Sequence, residues 1–176
     1  MNSVAIFWVQ ILASLGVFSL VAAWYVWPWL TKLPRNSALT PLLFVHVFRY
    51  VGLVLLVKGM VDPRLPHSNL YSTAYGDLVA AALSLASIFA LRGNWRGAIP
   101  LVWVANTWGF VDLLDALRGV IASNVPSFDL GTVWYLFIFY APAVIISHVL
   151  IFTILFKSRS WKKVDSSSRK KVTVQG

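Results

Sequence analysis

Residues Ile99–Arg118 read IPLVWVANTWGFVDLLDALR. The stretch is apolar enough in most positions to cross a bilayer, yet it carries Asn106, Asp112 and Asp115. Carboxylates are costly in hydrocarbon and need partners or water. Elsewhere in apolar sequence, the residues able to partner them are chiefly Arg49 and His46. The expectation is a bundle in which the other helices pack to satisfy this one.

Composition supports the same class. The 176 residues are 59% hydrophobic and only 12% charged, with a mean hydropathy of +0.74. A soluble domain carries about 25% charged residues. The apolar surplus lies in long runs, the mark of a polytopic membrane protein. The absence of cysteine excludes disulfides, thiolate catalysis, iron–sulfur clusters and CxxCH haem attachment. The formal charge is +9, but the basic residues lie at helix ends and in one tail. That placement argues for membrane topology and against nucleic acid.

Working outward gives an all-α integral membrane protein, a compact bundle of five transmembrane helices at about 4–30, 41–58, 72–91, 98–117 and 132–156. These make one domain over residues 1–157, followed by a basic, flexible cytoplasmic tail at 158–176. No charge precedes Lys32, so the first run lacks the positive start of a signal peptide and reads as a retained helix. It ends WYVWPWLTKLPR, an aromatic belt followed by positive charge. Pro41 suits the first turn of the second helix. Asp62-Pro63 and Pro66 predict a loop. Gly76, Ala80 and Ser84 recur every four residues, a close-packing stripe. Pro142 predicts a kink in the last helix.

Lys and Arg set the orientation. With the N-terminus outside, the cytoplasmic side holds Lys32, Arg35, Arg92, Arg96, Lys157, Arg159, Lys162, Lys163, Arg169, Lys170 and Lys171, and the external side holds Lys58, Arg64 and Arg118. That asymmetry predicts N-out, C-in, in a cell inner (cytoplasmic) membrane.

The candidate site is a set of polar residues at membrane depth: His46, Arg49, Asp77, Asn106, Trp108, Asp112 and His148. His46 and Arg49 share a helix face, as do Trp108, Asp112 and Asp115. Asn106 is turned about 120° from Asp112 and faces another neighbour. Arg49 is expected to pair with Asp112 or Asp77. Asp115, one turn from Arg118, reads as interfacial.

The leading expectation is a buried cluster that binds the polar end of a small amphipathic ligand or relays protons, imidazole titrating near neutral pH. One alternative is a redox subunit holding haem b between His46 and His148. Another is a non-catalytic accessory subunit of a larger membrane complex. Trp103, Trp108, Trp134 and Tyr140 offer walls for a quinone, porphyrin or isoprenoid. In the tail, Trp161, Lys162, Lys163, Arg169, Lys170 and Lys171 read as an anchor to anionic lipid. Other membrane subunits or a second copy of the chain are further partners. No GxxxxGK[ST], HExxH, GxSxG or Cys/His cluster specifies an enzyme.

Overall fold

The computed structural model describes residues 2–157. Among them the secondary structure is helical, without strands. Four helices are long and apolar enough to cross a membrane: α1 (Ser3–Leu30), α2 (Arg35–Leu56), α3 (His67–Arg92) and α5 (Gly131–Phe156). The other long helix, α4 (Ala98–Ala122), contains the stretch with Asp112 and Asp115 and is not among those four.

Three boundaries differ from the sequence expectation, and at α2 and α4 burial extends the helix past its propensity signals. Helix α2 begins at Arg35, which leaves Pro41 inside it. Ala38 and Leu39 are fully buried, so core packing draws the preceding turn into the helix. Helix α3 begins at His67, directly after Pro66. Helix α4 continues to Ala122, and Val120 is buried with Phe7, Leu65, Val125 and Leu130.

Two prolines reshape the helices that carry them. In α1 a π turn at Ala22–Val26 precedes Pro28, and in α5 a π turn at Leu136–Tyr140 precedes Pro142. A proline ring clashes with the carbonyl four residues back. A wider turn at that carbonyl removes the clash at the expense of one extra residue. The second half of α2, Phe48–Leu56, is wound as a 3₁₀ helix. At three residues per turn, Arg49, Gly52 and Leu55 align on one face, and all three are buried.

Apolar cores lie at both ends of the bundle. One packs Leu30, Leu39, Leu43, Leu91, Val102 and Ile151. The other packs Phe7, Leu65, Val120, Leu130 and Ile138. The buried polar residues Arg49, His46, Asn106 and His148 occupy the level between. Helix α3 lies between α2 and α4, while α1 packs chiefly on α5. Trp134 Nε1 donates to Gln10 Oε1 at 2.8 Å across that α1–α5 seam. The outer faces expose large apolar side chains, among them Val9, Leu12, Phe89, Val111 and Phe139.

At the end carrying the 57–66 loop, the Asp62 amide donates to the Asp129 carbonyl at 2.9 Å. The Arg64 guanidinium donates to the Asp62 carboxylate and holds that carboxyl well below its usual range. At the opposite end, Arg35 donates to the Leu155 carbonyl at 3.2 Å. A cation there complements the C-terminal end of α5. The tail positions Trp161, Lys162, Lys163, Arg169, Lys170 and Lys171 lie outside the described residues.

Candidate functional site

Arg49 enters the centre from the 3₁₀ half of α2. Its Nε donates to Asp77 Oδ1 at 2.6 Å, its Nη1 to the Gly109 carbonyl at 2.8 Å and its Nη2 to Asp112 Oδ2 at 2.5 Å. One guanidinium therefore ties α2 to both α3 and α4. Arg49 is 2% exposed, and the Asp77 and Asp112 side chains are 16% and 12% exposed. Arginine suits this role because its planar fork presents several fixed donors. The cluster sets one positive charge against two carboxylates.

Depth matches across the helices. Asp77 is ten residues after the start of α3 and Asp112 ten residues before the end of α4. Each is thus about 15 Å from the same end of the bundle.

Three glycines shape the cluster. A Cβ on Gly52 would collide with the Asp77 carboxylate, and one on Gly76 with the Asp112 carboxylate. A Cβ on Gly109 would lie 2.9 Å from Arg49 Nη1 and 3.0 Å from His148 Cε1. The absent side chains are what let the carboxylates and the guanidinium lie against neighbouring backbones. Gly76 is the only one of the three with a sequence signal, its place in the small-residue stripe.

A second polar group adjoins the first across Gly109. The His46 and His148 ring centroids are 4.1 Å apart, with an interplanar angle of 47°. His148 Nδ1 and Asn106 Oδ1 are 2.8 Å apart, and Asn106 Nδ2 donates to the His148 carbonyl at 3.5 Å. Both histidines are buried. His46 Nδ1, His46 Nε2 and His148 Nε2 have no hydrogen-bond partner in the structure. The pair is held by Ser147, whose hydroxyl donates to the Leu42 carbonyl at 3.1 Å, and by Tyr140, whose hydroxyl donates to the Val45 carbonyl at 2.6 Å. Both bonds clamp α5 to the first half of α2.

This geometry decides two of the sequence expectations. Haem b between His46 and His148 does not fit: the iron and macrocycle would have to lie between the imidazoles, and the rings are too close. No group of three or more His, Cys, Asp or Glu able to hold a metal ion occurs among the described residues. Trp108 does not face the cluster. It is 48% exposed and lines a shallow outer groove with Trp103, Val104, Thr107 and Val111. On the α-helical wheel Trp108 and Gly109 flank Asp112 on opposite sides, and Arg49 approaches on the glycine side, where its donor finds a bare carbonyl. Asp115 is exposed at the next turn.

A cavity of about 30 Å³ lies one helical turn from the carboxylates, lined mostly by apolar side chains such as Leu55, Leu65, Val120 and Phe137, with Asn69 and Thr73 its polar members. At about 10–15 Å³ per water, it has room for roughly two.

The Asn106–His148 contact makes its own prediction. Asn106→Leu leaves His148 Nδ1 buried without a partner, which costs about 1–3 kcal/mol. The expected result is a lower apparent unfolding midpoint in detergent, with helix content unchanged at low temperature. An unaltered midpoint would remove the bond from the energetics of the bundle.

Residues 6–156 match the family described as Domain of unknown function (DUF8737), and the chain belongs to that family. The matched span includes every residue of the two polar groups. No curated protein and no solved structure matches the chain.

Proposed function

We propose that this DUF8737 member is a multi-pass membrane protein that handles protons at an intramembrane Arg49–Asp77–Asp112 centre. The observation that carries the reading is the imbalance of that centre: two carboxylates share one guanidinium between two apolar cores. An unmatched charge in such surroundings is expensive. Taking up one proton leaves a single carboxylate opposite Arg49 and makes the cluster neutral. The centre is therefore built to exist in two protonation states, both of which keep Arg49 paired.

All five long helices span the membrane in this proposal, α4 included, since Arg49 offsets the carboxylate that α4 brings inside. The side bearing Lys32, Arg35, Arg92, Arg96 and Lys157 faces the cytoplasm, and the side bearing Lys58, Arg64 and Arg118 faces outward. That puts the N-terminus outside and the chain in a cytoplasmic membrane.

The test is proton flux. Purified protein is placed in phospholipid vesicles with an internal pH dye and a potassium gradient, and valinomycin is added. The reading expects faster acidification or alkalinisation than in empty vesicles, and loss of that excess in Asp112→Asn. Equal rates in vesicles with protein, with Asp112→Asn and without protein would overturn it.

A further inference from the structure

We propose that the exposed face of α4 is a dimer interface: two copies of the chain, parallel in the membrane, pack α4 against α4 and exchange Asp115–Arg118 ion pairs across a two-fold axis. The parallel arrangement rests on the membrane reading. The seam itself does not rest on proton handling.

Residues along α4 fall on two faces. Val102, Ala105, Asn106 and Gly109 are buried in the bundle. Val104, Trp108, Val111, Asp115, Arg118 and Ala122 are all exposed. Their spacing alternates between four residues and three. That is the a/d repeat of a coiled-coil seam, which keeps one narrow stripe in line with a partner helix. Helix α4 packs along α3 and touches α5, yet among the described residues nothing covers this stripe.

The shallow groove on this face has the form of a packing hole. In a parallel pair, a side chain at an a position enters a hole made by the preceding d and g residues and the facing a and d residues. With Trp108 at a, those four are Val104, Thr107, Trp108 and Val111. The same four line the groove, together with Trp103. The groove therefore suits Trp108 of the partner subunit, and two-fold symmetry supplies the reciprocal insertion.

Chemistry favours a second copy over lipid. Trp108 is ten residues into α4, about 15 Å from its start. That is far from the interface, where an exposed indole finds water for its N–H. Asp115 is seven residues before the end of α4, about 10 Å from it. Asp115 and Arg118 are one turn apart, but neither makes a hydrogen bond or an ion pair among the described residues. Acyl chains leave such charges unmatched. A two-fold axis along the seam brings Asp115 of each chain within reach of Arg118 of the partner subunit, one layer away. Two ion pairs form and the charges of the seam cancel. An acid and a base one turn apart make a self-complementary pattern, which an isologous interface requires.

The chain has no cysteine, so single-cysteine variants of the full chain report the interface in native membranes. After oxidation with copper phenanthroline, Val104→Cys and Val111→Cys should each run mostly as a disulfide-linked dimer. Leu12→Cys and Phe89→Cys, exposed on α1 and α3, should stay monomeric. Two further variants test the charges on the Val111→Cys background. Asp115→Arg makes the seam wholly cationic and Arg118→Asp makes it wholly anionic, so each alone should lose the cross-link. Co-expressed with separate affinity tags, they should restore it as a mixed dimer. Cross-linking at Val111→Cys no greater than at Leu12→Cys would overturn the proposal, as would equal cross-linking in every charge variant. So would Val104→Cys joining only to Val111→Cys, the mark of antiparallel copies. Carbonate washing answers for the membrane reading alone. A chain that stays in the membrane and never cross-links removes the dimer. A chain washed off as a cross-linked dimer keeps the seam and removes the membrane reading.

Discussion

Arg49→Met is expected to destabilise the folded bundle by about 3–5 kcal/mol, the largest effect of any single substitution in the centre. Methionine retains the length of the stem and removes every donor. Asp77 and Asp112 then face each other's charge, and the Gly109 carbonyl loses the donor that Arg49 supplies. The cost of breaking a buried pair comes mostly from the partners it strands, because replacing all members by neutral groups is often tolerated. Arg49→Met combined with Asp77→Asn and Asp112→Asn should therefore recover most of the lost stability. The measurement is the unfolding midpoint and monodisperse yield in mild detergent for parent, single and triple variants. A single variant as stable as the parent would show that the cluster holds nothing together. A triple variant that folds but conducts no protons would separate the structural work of these residues from their chemistry.

Gly76→Ala should be nearly as damaging. One added methyl group would land on the Asp112 carboxylate, and that carboxylate is tied to Arg49 at 2.5 Å. Overpacking a filled site costs about 1–3 kcal/mol, and here relief requires stretching the ion pair. Gly109→Ala should behave alike, since its Cβ would press on both Arg49 and His148. Gly16→Ala is the control. Nothing lies within 4 Å of the added atom, and alanine within a helix is favoured over glycine by about 1 kcal/mol. The expected order in thermal midpoint is Gly16→Ala at or above the parent, then Gly109→Ala and Gly76→Ala well below. Equal midpoints for Gly16→Ala and Gly76→Ala would show that α3 and α4 are free to separate.

The sequence makes the elements of the centre visible but not their contacts. Arg49, Asp77 and Asp112 announce themselves because charge is rare in apolar runs, and helical spacing alone turns Asn106 away from Asp112. What spacing cannot give is which side of Asp112 meets Arg49. Trp108 and Gly109 flank it, and the choice between them rests on the rotation of α4 against α3, set by the bare surface of Gly76. The contact of His46 with His148 is hidden for a related reason. It depends on the rotation of α5, and the π turn before Pro142 shifts that rotation by one residue without a distinct signature of its own. The 3₁₀ winding of Phe48–Leu56 is equally silent: FRYVGLVLL reads as ordinary apolar helix. It becomes apparent only when burial falls on every third residue.

The separations along the chain of Arg49 from its partners, 28 residues to Asp77 and 63 to Asp112, impose an order on biogenesis. In the membrane reading Arg49 leaves the ribosome before either carboxylate exists. An unpaired arginine at the middle of an inserting helix costs about 2.5–3.5 kcal/mol. Entry of α2 and α3 as a hairpin lets Arg49 meet Asp77 at the moment of insertion. Helix α4 comes next, without the hydropathy of the other four, and finds a guanidinium already seated to receive Asp112. Helix α1 waits longest, its main partner α5 being the last to be made. In that reading the bundle grows around a charge, Arg49 receiving first Asp77 and then Asp112.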